Sequence, residues 1–341
     1  MLRKIFTLLT MGAALNATAQ LSKTDDVKKS LTLDSKDTVM WAKGGVFNLG
    51  INQGFLHNWT AGGEVASITI NGQFSGFLNR IYHRHIWTNN LDMTYGLFYG
   101  YSNSFIPRKI DDRIDFTSKY GLQVDDKKNF YLSGLFNFKS QFTKGYDYTV
   151  PNWTQYPTSN FLSPGYFTGA VGVEYRRQNN LSLFLSPIAA RMIVADKYYT
   201  TLKPDGMFGI PYGKTSKFEF GAYFTGRFQT DPAKKIFFRT RVDLYTNYLA
   251  KNQKDSVGNI IKRDNPGNID ILWDNFFSYK MSKYLSLTLA ATFMYDNDLP
   301  YSSTYTDPST GNVIAKDEPG ANLGWWQIKQ LLAIGIEYRF K

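Results

Sequence analysis

From Arg113 to Val124 the chain alternates: Arg113, Asp115, Thr117, Lys119 and Gln123 fall on one side of an extended run, and Ile114, Phe116, Tyr120, Leu122 and Val124 on the other. Period two over this length predicts a strand with one apolar side. A polar turn, Asp125-Asp126-Lys127-Lys128, reverses the chain, and the return run sets Phe130, Leu132, Phe136, Phe138 and Phe142 against Ser133, Asn137, Lys139, Gln141 and Thr143. The pair reads as an antiparallel hairpin. The same alternation separates Ala66, Ile68, Ile70, Phe74 and Leu78 from Ser67, Thr69, Asn71, Gln73 and Ser75, and Phe218, Phe220, Ala222, Phe224 and Phe228 from Lys217, Glu219, Thr225, Arg227 and Gln229.

About twelve such runs follow one another, near 45–53, 64–79, 85–101, 113–124, 130–143, 166–177, 181–194, 217–229, 236–249, 269–279, 284–295 and 326–340. With the first taken as rising, the even-to-odd connections are short, near 82–84, 125–128, 178–180, 230–235 and 280–283. The odd-to-even ones are mostly long, near 102–112, 144–165, 195–216, 250–268 and 296–324. A soluble sandwich needs a second apolar sheet for every apolar strand face. A barrel in an outer membrane needs none, because lipid covers that face and the charged face turns to the lumen. A slip of one residue in the Arg113 strand would place its basic residues in lipid, at about 2–4 kcal/mol each near the midplane. The fold expected is therefore all-β, a single transmembrane antiparallel β-barrel of about twelve strands with short periplasmic turns and long extracellular loops. The final run, Ile328 to Phe340, alternates almost to the C-terminal Lys341, as a last strand read by the barrel-assembly machinery would.

Composition agrees. Among 341 residues, 43% are hydrophobic and 16% aromatic, and no internal run approaches the roughly 18 apolar residues of a membrane helix. The aromatic excess suits Tyr and Trp belts at two lipid interfaces. The chain has no cysteine, which removes disulfides, thiolate catalysis and thiolate-bound metal. Arg3 and Lys4 before the apolar run Ile5 to Leu15, with Ala17-Thr18-Ala19 ahead of Gln20, predict a cleaved export signal over residues 1–19. Its removal takes away two basic and no acidic residues, so the formal charge of +11 becomes +9. Export and the lack of any helix-turn-helix or basic aromatic module argue against nucleic acid. Residues 20–40, polar and without a period, are expected to form a flexible periplasmic tail, and 41–341 the barrel.

Several stretches resemble a known family: Asn58-Trp59-Thr60-Ala61-Gly62-Gly63-Glu64, Asp111-Asp112-Arg113 through Lys119-Tyr120-Gly121, Phe136 to Phe142 with Gly145-Tyr146, Phe161-Leu162-Ser163-Pro164-Gly165-Tyr166, and Phe184-Leu185-Ser186-Pro187. They are similar to a family of Bacteroidota outer-membrane barrels of unknown function, over roughly Trp41 to Lys341. The resemblance implies an outer-membrane barrel and supplies no functional residues.

The predicted lumen face carries Arg113, Lys119, Lys139, Arg176, Arg227, Arg239, Arg241, Asp243, Asp270 and Asp274, together with Asp115, Glu174, Lys217, Glu219, Lys329, Glu337 and Arg339. Such groups need water or ion-pair partners. Two readings stand: an open pore whose basic residues favour small anionic solutes, or an interior filled by ion pairs. A twelve-stranded barrel lies between the packed and the open kinds, so strand number does not choose. Tyr146, Tyr148, Trp153 and Tyr156 make the 144–165 loop aromatic, for an envelope protein partner, a sugar, an inward constriction or the lipid interface.

Enzyme chemistry has less support. The histidines are His57, in the first long loop, and His83 and His85, near a short turn. A rim hydrolase would have to combine His57 with Asp111-Asp112. Asp296-Asn297-Asp298 with Asp307, Asp317 and Glu318 supply oxygen atoms without a complete calcium-loop spacing. No cofactor is expected, and no Gly-rich phosphate loop is present. The sequence thus predicts a non-enzymatic barrel in outer-membrane lipid, a channel for small polar or anionic solutes, with an accessory barrel that binds envelope proteins as the alternative.

Overall fold

A computed structural model describes residues 40–56, 64–126, 129–148, 150, 152–177, 180–203, 206–254, 260–262, 265–282, 284–296, 304–306, 313–315 and 326–340. The export signal, residues 20–39, His57, Asn58-Trp59-Thr60 and the acidic positions Asp298, Asp307, Asp317 and Glu318 lie outside the described residues.

Twelve antiparallel strands form one closed barrel: β1 Met40–Phe55, β2 Ala66–Tyr82, β3 His85–Gly100, β4 Arg108–Gln123, β5 Phe130–Ser140, β6 Gly165–Arg177, β7 Leu181–Val194, β8 Ser216–Ala233, β9 Ile236–Asn247, β10 Ile269–Lys280, β11 Leu285–Tyr295 and β12 Gln327–Phe340. Each strand pairs with its neighbours in sequence, and β1 closes on β12 from Gly45↔Phe340 to Gly50↔Gly335. Closure leaves no free sheet edge. Met40, assigned to the tail on sequence, opens β1.

Several strand limits differ from the alternation reading, and two of them have a visible cause. β4 begins at Arg108, five residues before the clean alternation at Arg113, because a bulge pairs Gly96 with Asp111 but Leu97 with Lys109 and so breaks period two. β5 ends at Ser140 and not at Thr143. There the Asp112 carboxylate accepts the N–H groups of Phe142 (2.7 Å) and Thr143 (3.0 Å) and draws the chain off the ladder.

The wall is inverted relative to a soluble protein. Leu185, Ile188, Val171, Leu332 and Ile336 are each 57–59% exposed, whereas Glu174 and Glu219 are 0% and Asp115 2% exposed. Only a lipid solvent outside and a polar interior make that distribution favourable. Trp41, Tyr82, Trp87, Tyr120, Tyr279, Tyr284 and Tyr338 stand exposed near the short-turn end, and Tyr101, Tyr248 and Trp326 near the long-loop end, the two aromatic girdles of a membrane barrel. The chain is an outer-membrane-type transmembrane barrel.

A second bulge matters for the interior. Between β6 and β7 the register shifts between Val171 and Val173, and Leu185, Pro187 and Ile188 all face outward. The Ser186 hydroxyl holds the bulge, donating to the Val171 carbonyl at 2.8 Å and accepting the Ile188 N–H at 3.3 Å. Beyond it the inner face passes to Ala189, Arg191 and Ile193.

At the loop end the described part of the 195–215 connection folds onto the barrel. Its helical turn, Lys197–Thr200, is capped by Asp196, whose side chain accepts from the Tyr198 N–H at 2.8 Å. Tyr199, Phe208 and Ile210 are buried with Ile193 and Ala195, and Tyr166 and Met207 pack against them. Tyr166 and Ile193 are register partners on the inner face, so this connection rests on the inner rim of the mouth.

Candidate functional site

The structure turns all ten predicted lumen residues inward and joins them in ion-pair groups that cross the interior. Near the short-turn half, Glu174 on β6 binds Lys119 Nζ at 2.5 Å and Arg176 Nε at 2.7 Å, while the hydroxyls of Ser182 and Ser133 donate to it at 2.7 and 3.2 Å. At mid-depth Arg241 reaches Asp115 at 3.1 Å and Asp243 at 2.9 Å, and Lys139 reaches Asp243 at 2.9 Å. Nearer the loops Arg191 holds Glu219 at 2.6 Å and Asp270 at 2.7 Å and lies over the Tyr245 ring, 3.9 Å from its centroid. Lys329 on β12 joins Asp111 on β4 at 2.6 Å.

Two ion pairs span the full width, Arg239 on β9 with Asp92 on β3 at 3.6 Å and, more closely, Arg113 with Asp274. Arg113 on β4 and Asp274 on β10 lie six strands apart in either direction around the ring, yet the guanidinium donates to both carboxylate oxygens at 3.0 and 2.9 Å. Thr292 adds a donor at 2.6 Å. Side chains that meet across a diameter divide the lumen, as an ionic crossbar.

Beside the crossbar, in the half nearer the short turns, remains a cavity of about 210 Å³. Its cationic walls are Arg113, Lys119, Arg176, Arg227, Arg239 and Arg241, and its acidic ones Asp92, Asp115 and Asp274. Small neutral groups from β1, β2 and β11, among them Asn48, Ser75 and Thr292, complete it.

Asp92 and Arg191 were not among the residues expected from sequence. Asp92 was legible, since it alternates with Leu91 and Met93 on a strand whose even positions face inward. Arg191 was not: counting by twos from the outward Leu185 puts Arg191 in lipid, and only the bulge at Ser186 to Ile188 returns it to the lumen.

Of the residues named for a rim hydrolase, Asp111 and Asp112 are among the described residues and His57 is not. Asp111 and Asp112 are neighbours on a strand and so face opposite sides, Asp111 toward Lys329 and Asp112 toward Lys109 at 2.9 Å and the loop amides. His85 Nδ1 lies 2.7 Å from the Tyr120 hydroxyl on the outer, short-turn side, and His83 sits in the turn. Among the described residues no three His, Cys, Asp or Glu side chains are grouped to hold a metal ion.

The loop aromatics pack on one another. Trp153 stacks edge-on against Tyr146 (5.1 Å) and Tyr148 (4.8 Å), and the Tyr148 hydroxyl accepts the Lys109 N–H at 2.5 Å. Burial pushes the Tyr148 hydroxyl above its ordinary pKa. Tyr156, which follows the turn Trp153–Gln155, is 38% exposed.

The profile of a family described as a protein of unknown function, DUF3078, matches residues 51–146, a shorter span than the resemblance read from Trp41 to Lys341. No curated protein matches the chain. Solved structures similar to it include the translocator domain of the autotransporter NalP from Neisseria meningitidis, at 9% identity and TM-score 0.32, covering 93% of each chain. An outer-membrane channel from Pseudomonas putida F1 is 8% identical with TM-score 0.35 over 91% of this chain and 97% of its own. The outer-membrane phospholipase A of Escherichia coli is 9% identical with TM-score 0.35 over 92% and 96%.

Proposed function

We propose that the protein resides in the outer membrane after loss of its export signal and handles small polar or anionic solutes, as a non-enzymatic conduit whose lumen is shut at rest by ionic crossbars. The observation that carries this reading is the Arg113–Asp274 pair across the full diameter, set directly beside a cavity with six cationic and three acidic side chains in its wall. A static fill would have no use for excess cations beside the division. A conduit gated at the crossbar has one, because a basic vestibule concentrates anions. The filled interior also favours the accessory reading, in which the barrel only binds envelope partners. Conductance of the purified full chain in planar bilayers separates the two. The wild type is expected to show rare openings with anion preference under a salt gradient, and Asp274→Ala to raise open probability severalfold. Silence from both proteins, each demonstrably folded, would remove the conduit and leave the accessory barrel.

A further inference from the structure

Three of the lumen arginines are held by close carboxylates. Arg113, Arg191 and Arg241 each make at least two contacts to carboxylate oxygens between 2.6 and 3.1 Å. Arg227 and Arg239 differ. Arg227 donates to the neutral amide oxygen of Asn90 at 3.1 Å and Arg239 to the hydroxyl of Ser75 at 2.9 Å. They share a single carboxylate, Asp92, at 3.9 and 3.6 Å, beyond the roughly 2.7–2.9 Å of a charge-assisted contact. The close partner of Asp92 is the Ser75 hydroxyl instead.

A second observation is independent of those distances. Arg227 on β8 is the direct cross-strand partner of Arg241 on β9, and like charges opposite one another oppose pairing. Arg241 is occupied by Asp115 and Asp243, so among the described residues Asp92 is the one carboxylate within 4 Å of Arg227 and Arg239. Both border the cavity, with side chains 26% and 30% exposed, as does Arg113, whose Nε has no partner. A guanidinium carries five N–H donors in a planar fork that fits two oxygens of one acid group better than a single spherical ion.

We propose that Arg227 and Arg239 form an oxyanion site, in which one carboxylate or phosphate group enters the cavity and bridges the two guanidinium groups. Asp92 is the internal competitor that holds the pair together when the site is empty. The site rests on the reading of the lumen as a solute-handling interior, and it supplies that reading with a ligand class.

Isothermal titration of the full chain, purified in a non-ionic detergent at neutral pH, tests it with sodium phosphate, acetate and chloride as probes. Phosphate and acetate are expected to bind one per barrel, and chloride about tenfold more weakly because it cannot span both forks. Arg227→Gln and Arg239→Gln should each weaken phosphate binding about tenfold, and Asp92→Asn should tighten it by a similar factor by removing the competing carboxylate. A merely structural Asp92 would produce no tightening. The unheated gel mobility of the folded barrel shows which variants to read. Absence of oxyanion binding by the folded wild type would overturn the site, as would equal binding by the Arg227→Gln/Arg239→Gln double variant. Chloride binding as tight as phosphate would overturn the oxyanion class. A barrel that binds phosphate but never conducts loses the conduit and keeps the site; one that conducts but binds no oxyanion does the reverse.

Discussion

From Asp92 on β3 round to Asp274 on β10, every strand of the inner wall carries ionised groups, and these are tied across the lumen. On β11, β1 and β2 the inner wall shows small neutral groups such as Thr288, Ala290, Asn48, Gly50, Gln73 and Ser75, and among the described residues no inward charge. The two arcs share one hydrogen-bonded ladder but keep it by different means. In the charged arc, contacts between strands that are not neighbours hold the barrel's cross-section. In the neutral arc neighbouring backbones do most of this, joined by Ser75 on β2, which accepts from Arg239 across the lumen, and interrupted by Lys329 on β12, which reaches Asp111. At the closing seam the backbones approach closely, so that a Cβ on Gly335 would clash with the Leu49 carbonyl oxygen and sit 2.8 Å from Gly50 Cα. The cavity lies where the arcs meet, since long side chains fill one side and short ones leave room on the other.

The comparison is broken most directly by removing a carboxylate from the charged arc. Glu174→Ala leaves Lys119 and Arg176 buried without their counter-charge and is expected to cost about 3–5 kcal/mol, against about 0.5 kcal/mol or less for Thr288→Ala on the neutral arc. Urea unfolding followed by the gel mobility of the folded barrel measures both, and equal losses would end the distinction. Backbone crowding is a separate sensitivity that both arcs share, since Gly172 on β6 and Gly221 on β8 are faced by neighbouring carbonyls as tightly as Gly335 is. Gly335→Ala has to displace the β1 backbone and is expected to cost about 1–3 kcal/mol in the same assay, whereas Gly134→Ala, whose Cβ would meet nothing within 4 Å, should be nearly silent. The smallest effect belongs to the rim between β2 and β3. There Glu64 accepts from the Ser102 hydroxyl at 2.7 Å and the Ser102 N–H at 2.6 Å, and these bonds hold its pKa below the ordinary 4.5. A depressed carboxylate contributes above its unfolded pKa and stops contributing as pH falls through the folded one. The Ser102 amide should therefore keep its exchange protection factor at neutral pH and lose it only as pH falls below the ordinary carboxylate range, and Glu64→Gln should remove that step.

Much of the wall was readable in the residues themselves. Lys217 to Gln229 and Phe130 to Ser140 alternate without a slip, because lipid on one side and water or ion pairs on the other leave a strand one register only. The same rule turned Arg113, Lys119, Lys139, Arg227 and Arg241 inward. Where the chain bulges, the rule fails: Arg191 lies on the wrong side of a two-residue count, and Arg108 to Asp112 do not look like strand.

The amino-acid sequence by itself determined the alternation, the strand count and the side of the wall for nearly every charged residue, since each depends only on a residue's immediate neighbours and the two solvents. Tertiary structure alone decided which charges meet. Arg113 and Asp274 are 161 positions apart, and nothing in the local pattern of either strand indicates that the ring places them face to face. Whether the lumen is crossed or open depends on such distant pairs, on bulges that shift the phase of one strand, and on the contrast between a long-armed arc and a short-armed one. These are properties of closure, and closure is not written in any one strand.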